Sequence, residues 1–451
     1  MHKFSEIYIK DFRLLENFSF ETNQTKDDLT INILMGKNGS GKSTFIDALY
    51  DIAGSQDNPN KIFRFWLTEK NDIILGNIDK NNISIPSVSK KIWHKVIRFY
   101  TGHSERNKEY QIENTENCLS FDVNTIKYVL TSVCLSGKWS SDENKDVVDE
   151  ISRLVFMEKG ILVPTEIWID VKNYNQETFD IKGINFMEDV KVGLAANVTR
   201  LRLELDQYRT DRPSFPILNT LINNNTTESN QIINTGFLYK KKEASGSESL
   251  LEENTLSDGE LGLIQRMSLI LLMKELSSPE QSSLLLLDEP ETHFNEIWKR
   301  NFIYLVKKIL SHTYHDVFIA THSSILATDA KSSELYKFEL KNEKIKVIDI
   351  PVKLYGSNIS DVANILFNIE GDVGRSSTEE IEKLLNSNSK KDIKKIERLL
   401  SEVGPGEYRW RLRAKLQELK QHNKLALRKV IKKVKNLHKL EHQQQEKRVD
   451  E

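Results

Sequence analysis

Eight residues, Gly36-Lys37-Asn38-Gly39-Ser40-Gly41-Lys42-Ser43, have the types and spacing needed to hold phosphate. Glycines 36, 39 and 41 permit backbone conformations closed to other residues, so successive N–H groups can turn inward on anionic oxygens. Lys42 would reach the β and γ phosphates of a nucleoside triphosphate, and the Ser43 hydroxyl would hold Mg2+. Asn38 and Ser40 complete the loop, and Thr44 adds a second hydroxyl beside the expected metal ligand. Such a turn works between a buried strand and a helix. The apolar residues Ile31, Ile33, Leu34 and Met35 predict the strand, and residues 43–50 predict the helix, whose dipole adds positive potential.

Far downstream, Leu284-Leu285-Leu286-Leu287 is apolar at every position, as expected of a parallel strand covered on both faces. It ends in Asp288-Glu289-Pro290, and ligands bind at the carboxyl ends of such strands. Asp288 would help hold Mg2+, and Glu289 would polarise an attacking water; a solvated acidic turn is the plainer alternative. Phosphoryl transfer asks for metal, positive donors and an oriented nucleophile more than for covalent chemistry. Another apolar strand, 317–320, runs into Thr321-His322-Ser323-Ser324, which puts His322 where a sensor of the terminal phosphate is wanted. His293, four residues beyond Glu289, reads equally well as a site residue or a surface one. Leu256-Ser257-Asp258-Gly259-Glu260 satisfies the capping box and opens an apolar helix through Leu263, Ile264, Met267, Ile270 and Leu271. A capped helix start containing glycine is also an anion site. The Ser257 hydroxyl and the Gly259 N–H would be its donors, aimed at phosphate bound by a second copy of the chain.

Glycine loop, signature, acidic strand end and histidine, in these positions, resemble the ABC-class ATPases. The resemblance implies an α/β P-loop NTPase head of ABC type that takes ATP and Mg2+. It implies a head-to-head dimer in which Lys42, Glu289 and His322 are catalytic. The signature departs from the commonest form at its third and fifth residues. The opening Ile7-Tyr8-Ile9-Lys10-Asp11-Phe12-Arg13 and the segment Asp288-Glu289-Pro290-Glu291-Thr292-His293 are similar to the DNA-repair and defence branch of RecF, SMC and OLD-like heads. In that branch the arginine lies near the nucleotide, which makes Arg13 a candidate contact. Membrane transporters usually carry Ser-Ala-Leu-Asp after the Glu-Pro, and this stretch is absent here. The Q-loop glutamine is not evident; strand 96–100 and the turn Thr101-Gly102-His103-Ser104-Glu105 occupy its place.

The whole layout, with a middle insertion and a late Gly404-Pro405-Gly406-Glu407-Tyr408-Arg409-Trp410-Arg411 segment, resembles the ATPase subunit of Septu anti-phage systems (PtuA), retron-linked relatives included. That resemblance implies a regulatory ATPase partnered by an HNH-type nuclease subunit. A RecF-type repair ATPase acting on DNA without a nuclease partner is the alternative, and the neighbouring gene separates the two.

Length alone allows two or three domains in 451 residues. The motif order overrides it, because one head must be built from both ends of the chain. The expected divisions are a first lobe (1–105), a largely helical insertion (106–250), a second lobe (251–355) and a helical basic C-terminal region (356–451). Apolar patches at 126–133, 147–156 and 201–205 make parts of the insertion read as helical, and residues 240–249 read as a flexible loop. Segments 335–340 and 345–350 read as a hairpin closing the head. There is no sustained heptad repeat, so no long coiled-coil arm is expected. Mean hydropathy of -0.48, no apolar run of membrane-spanning length and no signal-peptide core point to a cytoplasmic protein without a membrane partner. Two cysteines, Cys118 and Cys134, make no disulfide framework. A net charge of -2 gives no overall pull toward DNA.

The tail is different. Between Arg409 and Lys439 twelve Lys and Arg face one acid, Glu418, and an apolar stripe runs through Leu427, Val430, Val434 and Leu437. It reads as a solvated helix, a dock for a partner subunit, or a contact for DNA phosphates. Glu370-Gly371 is similar to the start of a Toprim nuclease domain, but no Asp-x-Asp follows. His438 and His442 lack the acid or asparagine of an HNH site, so no nuclease centre is expected in this chain.

Overall fold

The four leucines at 284–287 are apolar throughout because the strand they build has a core on each side. In a computed structural model of the chain, Leu285 and Leu287 enter one hydrophobic cluster while Leu284 and Leu286 enter another. The structure describes residues 2–22, 29–54, 62–69, 72–79, 82–84, 93–101, 117–155, 160–188, 197–205, 212–224, 229–243, 248–277, 282–311, 313–367, 374–387, 389, 391–421 and 431–433.

The chain opens with an antiparallel hairpin, β1 (His2–Phe12) and β2 (Leu15–Glu21), followed by β3 (Leu29–Met35) and α1 (Lys42–Gly54). Strands β4 (Ile62–Glu69), β5 (Asp72–Asp79) and β6 (Asn82–Ser84) widen the hairpin into a sheet of order β2-β1-β4-β5-β6. Next come β7 (Val96–Phe99), β8 (Cys118–Phe121), α2 (Ile126–Leu135) and α3 (Lys145–Val155). A second antiparallel sheet follows, built from β9 (Gly160–Lys172), β10 (Met187–Glu188), β11 (Val198–Glu204), β12 (Gln231–Glu243) and β13 (Glu248–Glu252), with α4 (Ser214–Asn224) between β11 and β12. Its order is β10-β11-β9-β12-β13.

The chain then returns through α5 (Asp258–Leu276), β14 (Ser283–Asp288), α6 (Glu296–Ile309), β15 (His315–Thr321), α7 (Ser324–Thr328), β16 (Leu335–Lys341), β17 (Lys344–Ile348) and α8 (Ile359–Phe367). These complete a seven-stranded sheet of order β17-β16-β3-β15-β14-β7-β8, parallel throughout except for the edge strand β17. The fold is therefore α/β, with a P-loop at the end of its β3 strand. The β1 sheet and α1 cover one face of the large sheet; α2, α3, α5 and α6 pack on the other.

Three sequence expectations change. The middle of the chain is not largely helical: it holds α2, α3 and α4 together with the five-stranded sheet. The apolar patch at 201–205 supplies strand rather than helix, over 201–204, since Leu201 and Leu203 are buried while Arg202 and Glu204 alternate outward, a period of two. Residues 240–243 and 248–249 are strand ends rather than loop, and Lys240 pairs with Glu248 across them. The third boundary also moves. The chain parts at 369/370 rather than 355/356, because Val362, Leu366 and Phe367 of α8 are buried in the core of the first unit.

The second unit spans residues 370–451 and contains α9 (Arg375–Leu385), α10 (Asp392–Glu402) and α11 (407–421) around Ile381, Leu384, Ile396, Leu412 and Leu419. The stripe Leu427, Val430, Val434 and Leu437, the histidines 438 and 442, and most of the presumed Q-loop turn lie outside the described residues.

Candidate active site

Strands β3, β14 and β15 run parallel side by side, so their carboxyl ends open on the same edge. Gly36 leads β3 into the glycine loop, with φ of +80° at Gly39 and +90° at Gly41, the left-handed region that glycine tolerates. The loop is clamped from beneath. A side chain at Gly36 would lie 2.4 Å from the Phe338 carbonyl oxygen, and one at Gly41 2.3 Å from Ile345. The β16–β17 hairpin therefore fixes the cradle from below.

Inside the loop, the Lys42 ammonium donates to the carbonyls of Gly36 (2.7 Å) and Lys37 (3.2 Å). Burial pulls the Lys42 pKa below the usual lysine value, opposed by the carboxylates of Glu289, Asp288 and Glu291. The buried Ser40 hydroxyl has no partner among the described residues. A loop with a buried cation on its own carbonyls and an orphaned hydroxyl fits a phosphate, which supplies acceptors to both. Ser43 donates to Asp288 Oδ1 at 2.9 Å. Burial pushes the Asp288 carboxyl up to about 7, with the Ser43 hydroxyl pulling the other way. A hydroxyl and an acidic oxygen side by side at the mouth of the loop suit a divalent cation. Thr44 lies within α1 and Asn38 is exposed on the loop.

Beyond Asp288 the chain turns sharply. Glu289 has φ of +48° and His293 of +70°, both costly for residues with side chains. The Glu289 N–H donates to the Ala320 carbonyl at 2.8 Å, which locks the strained turn onto β15. The result brings Glu289 Oε1 to 3.0 Å from His322 Nδ1, with the histidine ring exposed. The carboxylate of Glu291 is buried, accepts from the Thr321 hydroxyl, and is pushed up in pKa by burial.

Ser257 caps α5 with a complete capping box. Its N–H and hydroxyl both donate to Glu260 Oε2, at 2.7 and 2.8 Å, and the Glu260 N–H returns to its oxygen. Gly259 is buried at the spot where His293 passes, and a side chain there would meet the His293 carbonyl at 2.5 Å. His293 thus enters through its backbone, with its side chain exposed.

Arg13, at φ +54° in the β1–β2 turn, donates to Asp47 Oδ2 at 2.5 Å. Asp47 also takes Arg98 of β7 at 2.8 Å. Asp47, Arg98, Glu291 and Thr321 are absent from the sequence-based site. Asp47 had a signal, since it stands four residues after Ser43 and so on the same side of α1. Arg98 had none, because its partners come from other parts of the chain.

No family model matches the chain, and no curated protein does. Among solved structures it is similar to the SMC head domain from Thermotoga maritima, at 13% identity over 78% of this chain and 100% of that one, with a TM-score of 0.39. An SMC head bound to the C-winged helix domain of ScpA is 10% identical over 76% of this chain and 96% of that one, with a TM-score of 0.38. The recombination mediator protein RecF, solved with an ATP analogue in the RecFOR pathway, is 13% identical over 77% and 98%, with a TM-score of 0.34. At such identities and scores these structures assign no activity to this chain, and its chemistry is read from its own residues.

Proposed function

We propose that the chain is an ATP-binding and ATP-hydrolysing subunit of ABC type that controls an HNH nuclease in an anti-phage defence complex. The observation that carries the ATPase reading is the convergence of Lys42, Ser43, Asp288, Glu289 and His322 on one open edge of the sheet. The triphosphate enters the glycine loop (Gly36, Asn38, Gly39, Ser40, Gly41, with Thr44 beside it), and Lys42 exchanges its backbone carbonyls for phosphate oxygens. Glu289 orients a water and accepts its proton; His322 holds the Glu289 carboxylate and reads the terminal phosphate. Ser43 and Asp288 would hold Mg2+, which neutralises phosphate charge when bound. Ser257 and Gly259 of a second copy close the site, so that nucleotide joins two heads. The defence role and the nuclease partner rest on the resemblance of the layout. The basic tail supports contact with that partner or with DNA.

The test uses the purified chain. Lys42→Ala should abolish ATP turnover. Glu289→Gln should slow it by at least about a hundredfold while keeping nucleotide bound and accumulating dimers. A wild-type chain that turns over no ATP, or a Glu289→Gln variant as fast as wild type, overturns the ATPase reading. Strong metal-dependent DNA cleavage by the lone chain overturns the division of labour with a nuclease.

A further inference from the structure

Two buried, oppositely charged groups in the first unit are each left incomplete. Arg266 lies on α5, nine residues past Ser257, and is 4% exposed. Its Nη1 donates to the Gly262 carbonyl at 3.0 Å, its guanidinium stacks over Phe99 (4.8 Å) and Phe294 (5.6 Å), and its Nε has no partner among the described residues. Glu291 is 2% exposed. The Thr321 hydroxyl satisfies Oε1, while Oε2 has no partner. The Phe294 ring under the guanidinium belongs to the Glu291 turn, for the Phe294 N–H donates to the Glu291 carbonyl at 3.0 Å; among the described residues, Glu291 is also the acid whose charge acts on Arg266, opposing the burial that pulls the guanidinium pKa down to about 10. No ion pair closes between them. A buried charge with an unmade hydrogen bond is expensive, and it calls for an explanation.

The positions of the two groups suggest one. α5 begins with Ser257 and Gly259, and a helix is stiff enough to carry a displacement of its first turn to a residue two and a half turns along. Glu291 sits in the strained turn that begins at Glu289. Through Thr321, whose oxygen also takes the Ser323 N–H at 2.9 Å, it touches the segment holding His322. Gly262 belongs to the same device. A side chain there would come within 2.8 Å of the Arg266 Nη1, so the glycine leaves the guanidinium room.

We propose that Arg266 and Glu291 are a coupling pair: seating of phosphate at the start of α5 completes an Arg266–Glu291 ion pair, which sets the Glu289–His322 couple for hydrolysis. This rests on the ATPase reading above. Both are positioning residues, because neither reaches the phosphate site itself. The pair makes the signature helix of one head report its engagement to the catalytic turn of the same head.

A double-mutant cycle tests it, with Arg266→Met, Glu291→Gln and the two combined in the full chain. Nucleotide affinity of the unpaired head, read with a fluorescent ATP analogue at protein concentrations too low for head pairing, should stay within about twofold of wild type, since the P-loop is untouched. Turnover at saturating ATP should fall about tenfold in each single variant, and the double variant should be no slower than either one, as expected of a shared interaction. Arg266→Lys, which keeps a charge, should recover part of the loss. Should Arg266→Met fail to fold, Arg266→Gln against Glu291→Gln carries the same cycle. Unchanged turnover, losses that multiply, or affinity falling in step with turnover each overturn the coupling pair. The two readings fail separately: a wild-type chain without Lys42-dependent turnover sinks the ATPase assignment, whereas Lys42-dependent turnover with a multiplicative cycle sinks only the coupling pair.

Discussion

Single residues decide how the first unit responds to acid and to the loss of charge. His315, at the start of β15, is fully buried and neither ring nitrogen has a partner among the described residues. Burial pushes its pKa down to about 4 from an ordinary 6.5. The folded state thus binds fewer protons than the unfolded state between those values, so the contribution of His315 is complete above pH 6.5 and is lost as pH falls toward 4. The shift corresponds to about 3 kcal/mol. His315→Phe should flatten the acid limb of a stability–pH curve measured by urea unfolding, and an unchanged limb would remove His315 as its source. Asp47 offers a second contrast. It holds buried Arg98 and half-exposed Arg13 at once. Asp47→Ala leaves buried Arg98 its Ser120 hydrogen bond but takes away its carboxylate, and should cost roughly 3 kcal/mol, whereas Arg13→Ala should cost under about 1 kcal/mol; denaturant midpoints compare the two.

Among elements, the β16–β17 hairpin is the one whose role was hardest to see in advance. Its existence at 335–350 is legible from two apolar runs around a polar turn, but its seat under the glycine loop is not. That depends on Ile345 reaching Gly41, a contact between residues far apart in the chain. Gly41→Ala should abolish nucleotide binding, since it adds both a clash and a side chain at φ +90°. Ile345→Ala, combined with it, should relieve the clash without restoring affinity, as titration with a fluorescent nucleotide would show. Full restoration would mean that the backbone angle is unimportant. The same asymmetry explains what sequence reading reaches. Strand–loop–helix, leucine strand and capped α5 are local patterns, and each stands where the residues put it. The sheet of β9, β11 and β12 is not local: its strands are separated by α4 and pair out of chain order, and the Pro164 and Lys-rich ends of β9 and β12 mask their alternation. Arg98, Glu291 and Arg266 escaped for the same reason, being defined by partners that only folding brings near.

At the level of the whole molecule, charge is divided between the two units. Residues 370–451 hold 21 Lys and Arg against 14 Asp and Glu, a net +7, which leaves the first unit acidic at -9. The first unit contains every proposed nucleotide contact. A chain ending at Ile369 should therefore keep ATP turnover within about threefold, an effect under 1 kcal/mol, while losing whatever salt-dependent association the full chain shows with DNA or with the proposed nuclease partner. A steady-state assay beside a pull-down at two salt concentrations decides this, and turnover that collapses with the truncation would tie the tail to the chemistry. The clamp under the glycine loop has a consequence for biosynthesis. The motif that grips phosphate is synthesised roughly three hundred residues before the strand β15 beside it and the hairpin beneath it. Nascent chains shorter than about residue 348 should pass through translation unable to retain ATP, so that the ability to hold fuel arrives together with the parts that use it.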